Sequence, residues 1–161
     1  MKRKIPLYNT SLKNLEHRLR AFKDSIPSML KDIVISKQDI IVELISQKQL
    51  YELGIEGYGK SIMEYRPYKP RTIADKRRKQ QPYTRVTLKD KGNFYRQMYV
   101  VFENDGFYIT SRSKVTPILT KKYGRSIFRL TDKNLSYLLR EHIRKEFVKR
   151  LKATINERAK R

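Results

Sequence analysis

Two stretches near the N-terminus place apolar side chains three or four residues apart, a spacing that predicts amphipathic helices. In the first stretch, Asn9 or Thr10 can cap the helix, and Pro27 ends it or begins the next one. The apolar positions of this stretch are Leu12, Leu15, Leu19, Phe22 and Ile26. They form one stripe, so we expect this helix to pack along one side.

The second stretch begins with Ser36 and Asp39, which have the spacing of a capping box, and it stops near Gly54. The β-branched run at residues 33–35 is compatible with a strand or with the approach to the helix. The apolar positions of this second helix are Ile40, Ile41, Leu44, Ile45, Leu50 and Tyr51. Residues 8–53 are therefore predicted to be a helical part of the chain.

Residues 54–83 have no sustained periodicity, and six glycines and prolines interrupt them. Glycine and proline are the strongest local breakers of regular structure. The pattern predicts a long, basic, extended loop over this range. Loops of this length are usually either functional or disordered.

Aromatic and β-branched residues dominate the next part of the chain, which predicts strands at Val86 and Leu88, at residues 94–102, and at Phe107 and Ile109. Asn104, Asp105 and Gly106 separate the last two strands, and an Asp-Gly pair readily adopts the positive φ angles that a β-hairpin needs. Residues 84–130 are therefore predicted to form a small antiparallel sheet with a hairpin, followed by a connector.

A long amphipathic helix is predicted at the C-terminus, with Thr131 as its cap. Its apolar stripe consists of Leu135, Leu139, Ile143, Phe147, Leu151 and Ile155. Together the patterns predict one α+β domain over residues 1–161, made of the helical part 8–53, the loop 54–83, the sheet and connector 84–130, and the basic helix 131–161.

Charge changes this picture more than any other property of the composition. The chain of 161 residues has 38 Lys plus Arg against 16 Asp plus Glu, a formal net charge of +22. Such an excess repels itself in the folded state and requires an external counter-charge, so a polyanion is the expected partner. Apolar residues make up 39% of the chain, with eleven Tyr and six Phe, which is enough to build a core and argues against disorder.

The absence of cysteine excludes disulfides, thiolate metal sites and thiol nucleophiles. Only Ile5 and Leu7 follow the basic residues 1–4 before polar residues begin, so the pattern predicts no signal peptide. No apolar run approaches the ~20 residues that span a bilayer, and no membrane partner is expected.

Basic residues are concentrated in two places, which we predict to bind the polyanion. Residues 66–91 carry ten positive and two negative charges, a net charge of +8, with Tyr65, Tyr68 and Tyr83 interleaved for base stacking. The alternative is a solvated loop whose charges confer only solubility. The predicted binding residues are Arg66, Lys69, Arg71, Lys76, Arg77, Arg78, Lys79 and Arg85 in this segment, and Arg144, Lys145, Lys149, Arg150 and Lys152 on the C-terminal helix.

Catalytic patterns are weak in this sequence. Gly54, Gly59, Lys60 and Ser61 satisfy the phosphate-loop pattern G-x-x-x-x-G-K-S, but a helical pattern and not a strand precedes them, which favours a helix stop. The histidines, His17 and His142, lie on separate predicted helices. Glu103 and Asp105 alone are too few acids for a two-metal nuclease site, and Asp105 is explained by its turn. We therefore expect no enzyme, no cofactor and no metal.

Residues 65–130 resemble the virion-morphogenesis proteins of tailed bacteriophages, which occupy the neck or tail-completion position between portal and tail. The sequence departs from the family pattern at Lys91, where the family often has Thr before Gly. The resemblance is carried by Tyr68, Thr72, Lys76, Val86, Thr87, Leu88, Lys89, Asp90, Gly92, Phe94 and Tyr95, then by Gly106, Phe107, Tyr108, Ile109, Thr110, Ser111, Tyr123 and Gly124.

This resemblance implies a structural head-tail connector protein of a phage particle, assembled in the bacterial host cytoplasm, whose copies form a ring around the axis through which the genome passes. The implied partners are further copies, portal or neighbouring neck and tail proteins, and double-stranded DNA. The alternative is a free-standing nucleic-acid-binding protein without sequence specificity, associated with the ribosome or the nucleoid.

Overall fold

The computed structural model describes residues 7–103 and 106–159, which combine helices with one small antiparallel sheet. The mixed α+β class predicted from the sequence is confirmed. The elements are α1 (Leu7–Ser36), α2 (Gln38–Glu43), a π-helical segment (Leu44–Leu53), α3 (Ile62–Tyr65), α4 (Pro70–Arg78), α5 (Asn93–Arg96), β1 (Met98–Glu103), β2 (Gly106–Ser111), α6 (Thr116–Tyr123), a 3₁₀ turn (Arg125–Phe128), α7 (Asp132–Tyr137), a second π-helical segment (Leu138–Ile143) and α8 (Arg144–Ala159).

Helix α1 spans 30 residues and continues past Pro27. The predicted helix end at that proline is therefore wrong. A proline inside a helix lacks one backbone donor and costs about 3 kcal/mol. The helical turns after Pro27 bury Ile33 and Val34 in the core. The free energy gained by this burial is not part of the local rules that predict helix ends from the sequence. The β-branched run at residues 33–35 is therefore helical.

The predicted capping box between α1 and α2 is also wrong. Ser36 donates its hydroxyl to the Ile33 carbonyl of its own helix at 2.7 Å, so it does not cap the next one. A single residue, Lys37, separates the two helices and makes no side-chain cap. The stop at Gly54 is confirmed, because Gly54 ends the π-helical segment in the left-handed conformation with φ of 65°.

The range 54–83 contains helices where the sequence predicted an extended loop. Helix α4 has Pro70 at its start and three basic residues in its last turn, both of which are favourable helix-end signals. Proline at the first position of a helix favours its start, because the N–H that proline lacks would have no partner within the helix there. This segment is therefore a folded part of the molecule.

The hairpin prediction is confirmed, because β1 and β2 pair antiparallel from Met98↔Ser111 to Glu103↔Gly106. Asn104 and Asp105, the predicted turn residues, lie outside the described residues. Two other strand predictions are wrong. Residues 93–96 form helix α5, and Leu88 adopts a positive φ of 52°, a conformation that no strand contains.

The C-terminal helix, residues 132–159, begins as predicted at Thr131, whose hydroxyl accepts the backbone N–H of Asn134 at 3.3 Å. Its buried face differs from the predicted stripe. Leu138 and Ile143, five residues apart, are buried, whereas Leu139 is half exposed. The π-helical segment between them has the i→i+5 repeat that this spacing requires.

One hydrophobic core joins residues from all parts of the chain. Its members with no exposed surface include Ile33, Ile41, Ile45, Leu50, Ile62, Val86 and Ile127. In the described ranges, no helix combines the length and the apolar character that crossing a bilayer requires.

The side-chain amide of Gln49 joins the N-terminal helices to the start of the C-terminal helix. Gln49 is fully buried; its Nε2 donates to the Arg129 carbonyl at 2.8 Å, and its Oε1 accepts the Thr131 N–H at 3.0 Å. Asn134 Nδ2 lies 3.4 Å from the same oxygen. Buried polar groups require such partners, so this amide sets where the C-terminal helix begins.

We expect Gln49→Ala to lower the free energy of unfolding by about 2–4 kcal/mol, because it leaves the Arg129 carbonyl and the Thr131 N–H buried without partners. Urea unfolding followed by circular dichroism measures this. Gln47→Ala on the same helical segment is the control and should change stability by less than about 0.5 kcal/mol. Equal effects of the two substitutions would contradict the role assigned to Gln49.

Candidate polyanion-binding surfaces

Lys76, on α4, is buried, with only 7% of its surface exposed. Its ammonium donates to the Lys89 carbonyl at 2.8 Å, to Gln81 Oε1 at 3.2 Å and to Thr87 Oγ1 at 3.3 Å. It also lies 5.1 Å from the centre of the Tyr68 ring. All three donor positions of the ammonium are therefore used inside the protein.

Thr87 is the centre of this buried polar network. Its backbone N–H donates to the Tyr68 hydroxyl at 2.9 Å, and its carbonyl accepts the hydroxyl of Tyr95. Burial raises the pKa of Tyr95 well above its usual range, so this hydroxyl stays protonated and remains a donor. The network ties α4 and α5 to the segment between them.

The prediction that Lys76 binds a polyanion is therefore wrong. Sequence alone cannot separate a buried lysine from its exposed neighbours Arg77, Arg78 and Lys79, because burial depends on contacts with residues 81–89. In the structure Lys76 holds α4 in place, and the other cations of that helix point outward as a result.

Several cations on or beside α4 are exposed, and three of them are Lys69, Arg71 and Arg77. Among the described side chains, none of these three has a carboxylate within ion-pair distance. The Arg77 guanidinium lies 4.6 Å from the centre of the Tyr83 ring, which orients it without neutralising it. These three side chains are free to contact an external anion.

The other predicted binding residues of this segment already have partners in the protein. Arg78 pairs with Asp75 at 3.1 Å, and Lys79 pairs with Asp90. The hydrogen bond from Lys79 lowers the pKa of Asp90, so that carboxylate stays ionised. Arg66 and Arg85 donate to backbone carbonyls, those of Lys122 at 3.3 Å and of Tyr51 at 2.8 Å.

The C-terminal helix divides its cations in the same way. Arg144, Lys149 and Lys152 are exposed, and none pairs with a carboxylate among the side chains described here. Lys145 pairs with Glu141 at 2.6 Å, and Arg150 pairs with Glu146 at 2.9 Å. Hydrogen bonds from these partners lower the pKa of both glutamates, which remain charged and offset those two cations.

The phosphate-loop motif has a different role in the structure. The Glu56 carboxylate is buried and accepts the backbone N–H groups of Tyr58 at 3.0 Å and Lys60 at 3.3 Å. In a phosphate loop such amides bind the anion. Gly57 has no room for a side chain, because an added Cβ would lie 2.3 Å from the Arg129 Cβ. The glycines thus serve helix termination and close packing.

The two histidines lie on different elements of the structure. His17 is exposed on α1, and His142 packs edge-on against Tyr137 with ring centres 5.3 Å apart. In residues 7–103 and 106–159, no group of three or more His, Asp or Glu is arranged to hold a metal ion.

The tyrosines predicted for base stacking are mostly unavailable. Tyr68 is buried in the Thr87 network, and Tyr83 lies beneath Arg77. Tyr65 remains exposed. Further exposed rings, among them Tyr58 and Tyr108, lie outside the residues that the sequence assigned to binding. Tyr58 is exposed because it lies in the loop at 54–61, and Tyr108 because it lies on the outer face of the hairpin. Strand alternation alone could not show which face of the hairpin is exposed.

Comparisons with known proteins give no match for this chain among protein-family models, curated proteins or solved structures.

We expect Lys76→Ala to destabilise the fold by about 2–4 kcal/mol, since it removes three buried hydrogen bonds and the packing of the lysine stem. Arg71→Ala on the exposed side of the same helix should change stability by less than about 0.5 kcal/mol but weaken DNA binding. Thermal unfolding and fluorescence anisotropy with a labelled duplex measure the two effects. A stable Lys76→Ala variant with reduced DNA affinity would contradict this assignment.

Proposed function

We propose that this chain is a non-enzymatic structural protein of a tailed-bacteriophage particle, a head-tail connector or neck subunit. Its copies form a ring within the virion, and their basic surfaces contact double-stranded DNA or acidic neighbouring proteins. The proposal depends on six of the predicted binding residues, which are exposed and have no carboxylate partner among the described side chains: Lys69, Arg71, Arg77, Arg144, Lys149 and Lys152.

These cations support polyanion binding because exposed charges without internal partners gain most from an external one. The two sets are held by different parts of the fold. Helix α4 is held by the network around Thr87, whereas the C-terminal helix packs against α1. Neither set of cations has the arrangement by which sequence-specific proteins contact base edges. Contacts with the phosphate backbone therefore suit both sets better than base recognition does.

The surface area of the chain supports an assembled state. It exposes 12426 Å², whereas a compact monomer of 19.3 kDa exposes about 8,500 Å². Helix α1 contributes to the excess, since 30 residues of helix extend for about 45 Å. A ring of copies would cover part of this surface.

Exposed apolar side chains on the C-terminal helix also favour contact with protein. Leu139 and Val148 are both more than a third exposed, and Leu135 and Tyr137 near the start of the same helix are exposed to a similar extent. Water-exposed apolar surface is reduced when subunits associate. The same helix would thus contact a neighbouring subunit and place cations beside it.

The alternative proposal is a free-standing nucleic-acid-binding protein of the ribosome or nucleoid. The unpaired cations support it equally, because non-specific binding requires only charge. The two proposals differ in the state of the isolated chain: the connector forms a defined multimer, and the free-standing protein binds as a monomer.

We expect Arg71→Gln/Arg77→Gln and Arg144→Gln/Lys149→Gln each to reduce the salt dependence of duplex binding, lowering the log–log slope by up to about 1.8 for two lost phosphate contacts. Filter binding from low to moderate salt measures the slope. The control is Arg20→Gln/Lys48→Gln, which removes the same charge from side chains paired with Glu16 and Glu52. Equal loss in all three variants would mean that no particular surface binds.

We expect the purified chain to form a defined multimer in native mass spectrometry, and Leu139→Asp/Val148→Asp to shift it toward monomer, because a buried carboxylate in the subunit contact is unfavourable. The control Ile118→Asp, at a residue that is 66% exposed on α6, should leave the multimer intact. A wild-type monomer that binds DNA tightly would instead favour the free-standing alternative.

A further inference from the structure

An open groove of about 1220 Å³ lies between the hairpin, α6 and the following 3₁₀ turn. The residues that line this groove include none of the exposed cations described above on and beside α4 or on the C-terminal helix. Pockets for small ligands are typically about 300–1,000 Å³, so this groove suits an extended molecule better than a compact one.

The hairpin register places two aromatic rings on the groove side of the sheet. Tyr99 pairs with Thr110 and Val101 pairs with Tyr108, and paired residues lie on the same face. The opposite face contains the buried Val100 and Ile109 and belongs to the core. Tyr99 and Tyr108 are therefore diagonal neighbours on the outer face of the sheet.

Tyr108 offers an accessible ring, with 49% of the residue exposed. Tyr99 is half-buried, and the Arg112 guanidinium lies 4.5 Å from its ring centre. Nothing in the described part of the chain stacks on Tyr108. An exposed tyrosine ring beside a second ring that an arginine holds in place has the composition of a base-stacking platform.

Cations line the other wall of the groove. Lys121 on α6 and Arg125 in the 3₁₀ turn are exposed, and neither forms an ion pair with any carboxylate in the described ranges. Arg129 is already engaged, since it pairs with Asp132 at 3.3 Å and lies 4.5 Å from the Tyr58 ring centre. Glu103, the one acidic residue lining the groove, lies at the hairpin end.

We propose that this groove binds a single-stranded nucleic acid segment, with a base stacked on Tyr108 and phosphates contacting Lys121 and Arg125. Stacking rings and an adjacent row of cations are the two components by which proteins bind single strands without sequence preference. A duplex fits less well, because its base faces are covered by neighbouring base pairs. This activity is separate from the duplex contact proposed above and involves different residues.

An acidic peptide is the competing occupant. It would use Lys121 and Arg125 but would gain little from an open ring, since carboxylates are repelled by the negative face of an aromatic ring. The presence of Tyr108 and two unpaired cations along one groove therefore favours nucleic acid. The effect of substituting Tyr108 on binding therefore distinguishes the two occupants.

The test is fluorescence anisotropy of the full-length chain with a labelled oligothymidine, against a labelled duplex of equal length and a labelled polyglutamate peptide. We expect Tyr108→Ala to weaken oligothymidine binding about ten-fold or more. Lys121→Gln/Arg125→Gln should lower its salt slope by about 1.4, that is 0.7 for each phosphate contact. Both variants should bind the duplex as the wild type does.

Matched controls separate the groove from general charge. Tyr137→Ala removes another exposed ring, on the C-terminal helix, and Lys122→Gln removes the lysine adjacent to Lys121; neither residue lines the groove. Both should bind oligothymidine normally. Thermal unfolding confirms that each variant is folded, which is expected because the altered side chains are exposed.

The proposal is overturned if Tyr108→Ala and Lys121→Gln/Arg125→Gln bind oligothymidine as tightly as the wild type does. It is also overturned if polyglutamate binds more tightly than oligothymidine and Tyr108→Ala changes neither, because the groove then holds acidic protein. Loss of duplex binding in Arg71→Gln/Arg77→Gln, with oligothymidine binding intact, distinguishes the two proposed activities.

Discussion

The buried amide of Gln49 is the contact on which the arrangement of the helices depends. It lies on the π-helical segment before Gly54 and bonds to the backbone at Arg129 and Thr131, 80 and 82 residues further along the chain. An unsatisfied polar group at this depth would cost more than most single contacts contribute, so few other positions of the C-terminal helix are compatible with this core. The direction of that helix, and of the cations on it, follows from this constraint.

A second buried network performs the same task for α4. Burial of the Lys76 ammonium is tolerated because the Lys89 carbonyl, Gln81 and Thr87 satisfy it. Tyr68 and Tyr95 belong to this network and not to the exposed surface. The external contacts of this segment therefore depend on the neighbouring exposed residues.

The cations of the described chain have different surroundings. Some are paired with carboxylates, as Lys145 is with Glu141, Lys76 is buried, and Arg66 and Arg85 donate to backbone carbonyls. Others are exposed without a carboxylate partner, including cations on α4, on the C-terminal helix and along the groove. The exposed Tyr108 ring and unpaired cations along one groove are the combination that the proposed binding of a nucleic acid strand requires.

The sequence by itself determined the mixed fold class, the helix stop at Gly54, the hairpin and the cap at Thr131, because each depends on residues adjacent in the chain. Only the tertiary structure decided that α1 continues through Pro27 and that Lys76 is buried. The same holds for the burial of Leu138 in place of Leu139. These outcomes depend on contacts between distant segments, where burial outweighs local preferences by several kcal/mol. The groove beside β2 could not be predicted from the sequence either. Strand alternation shows that the two faces of a sheet differ, but not which face the rest of the protein covers.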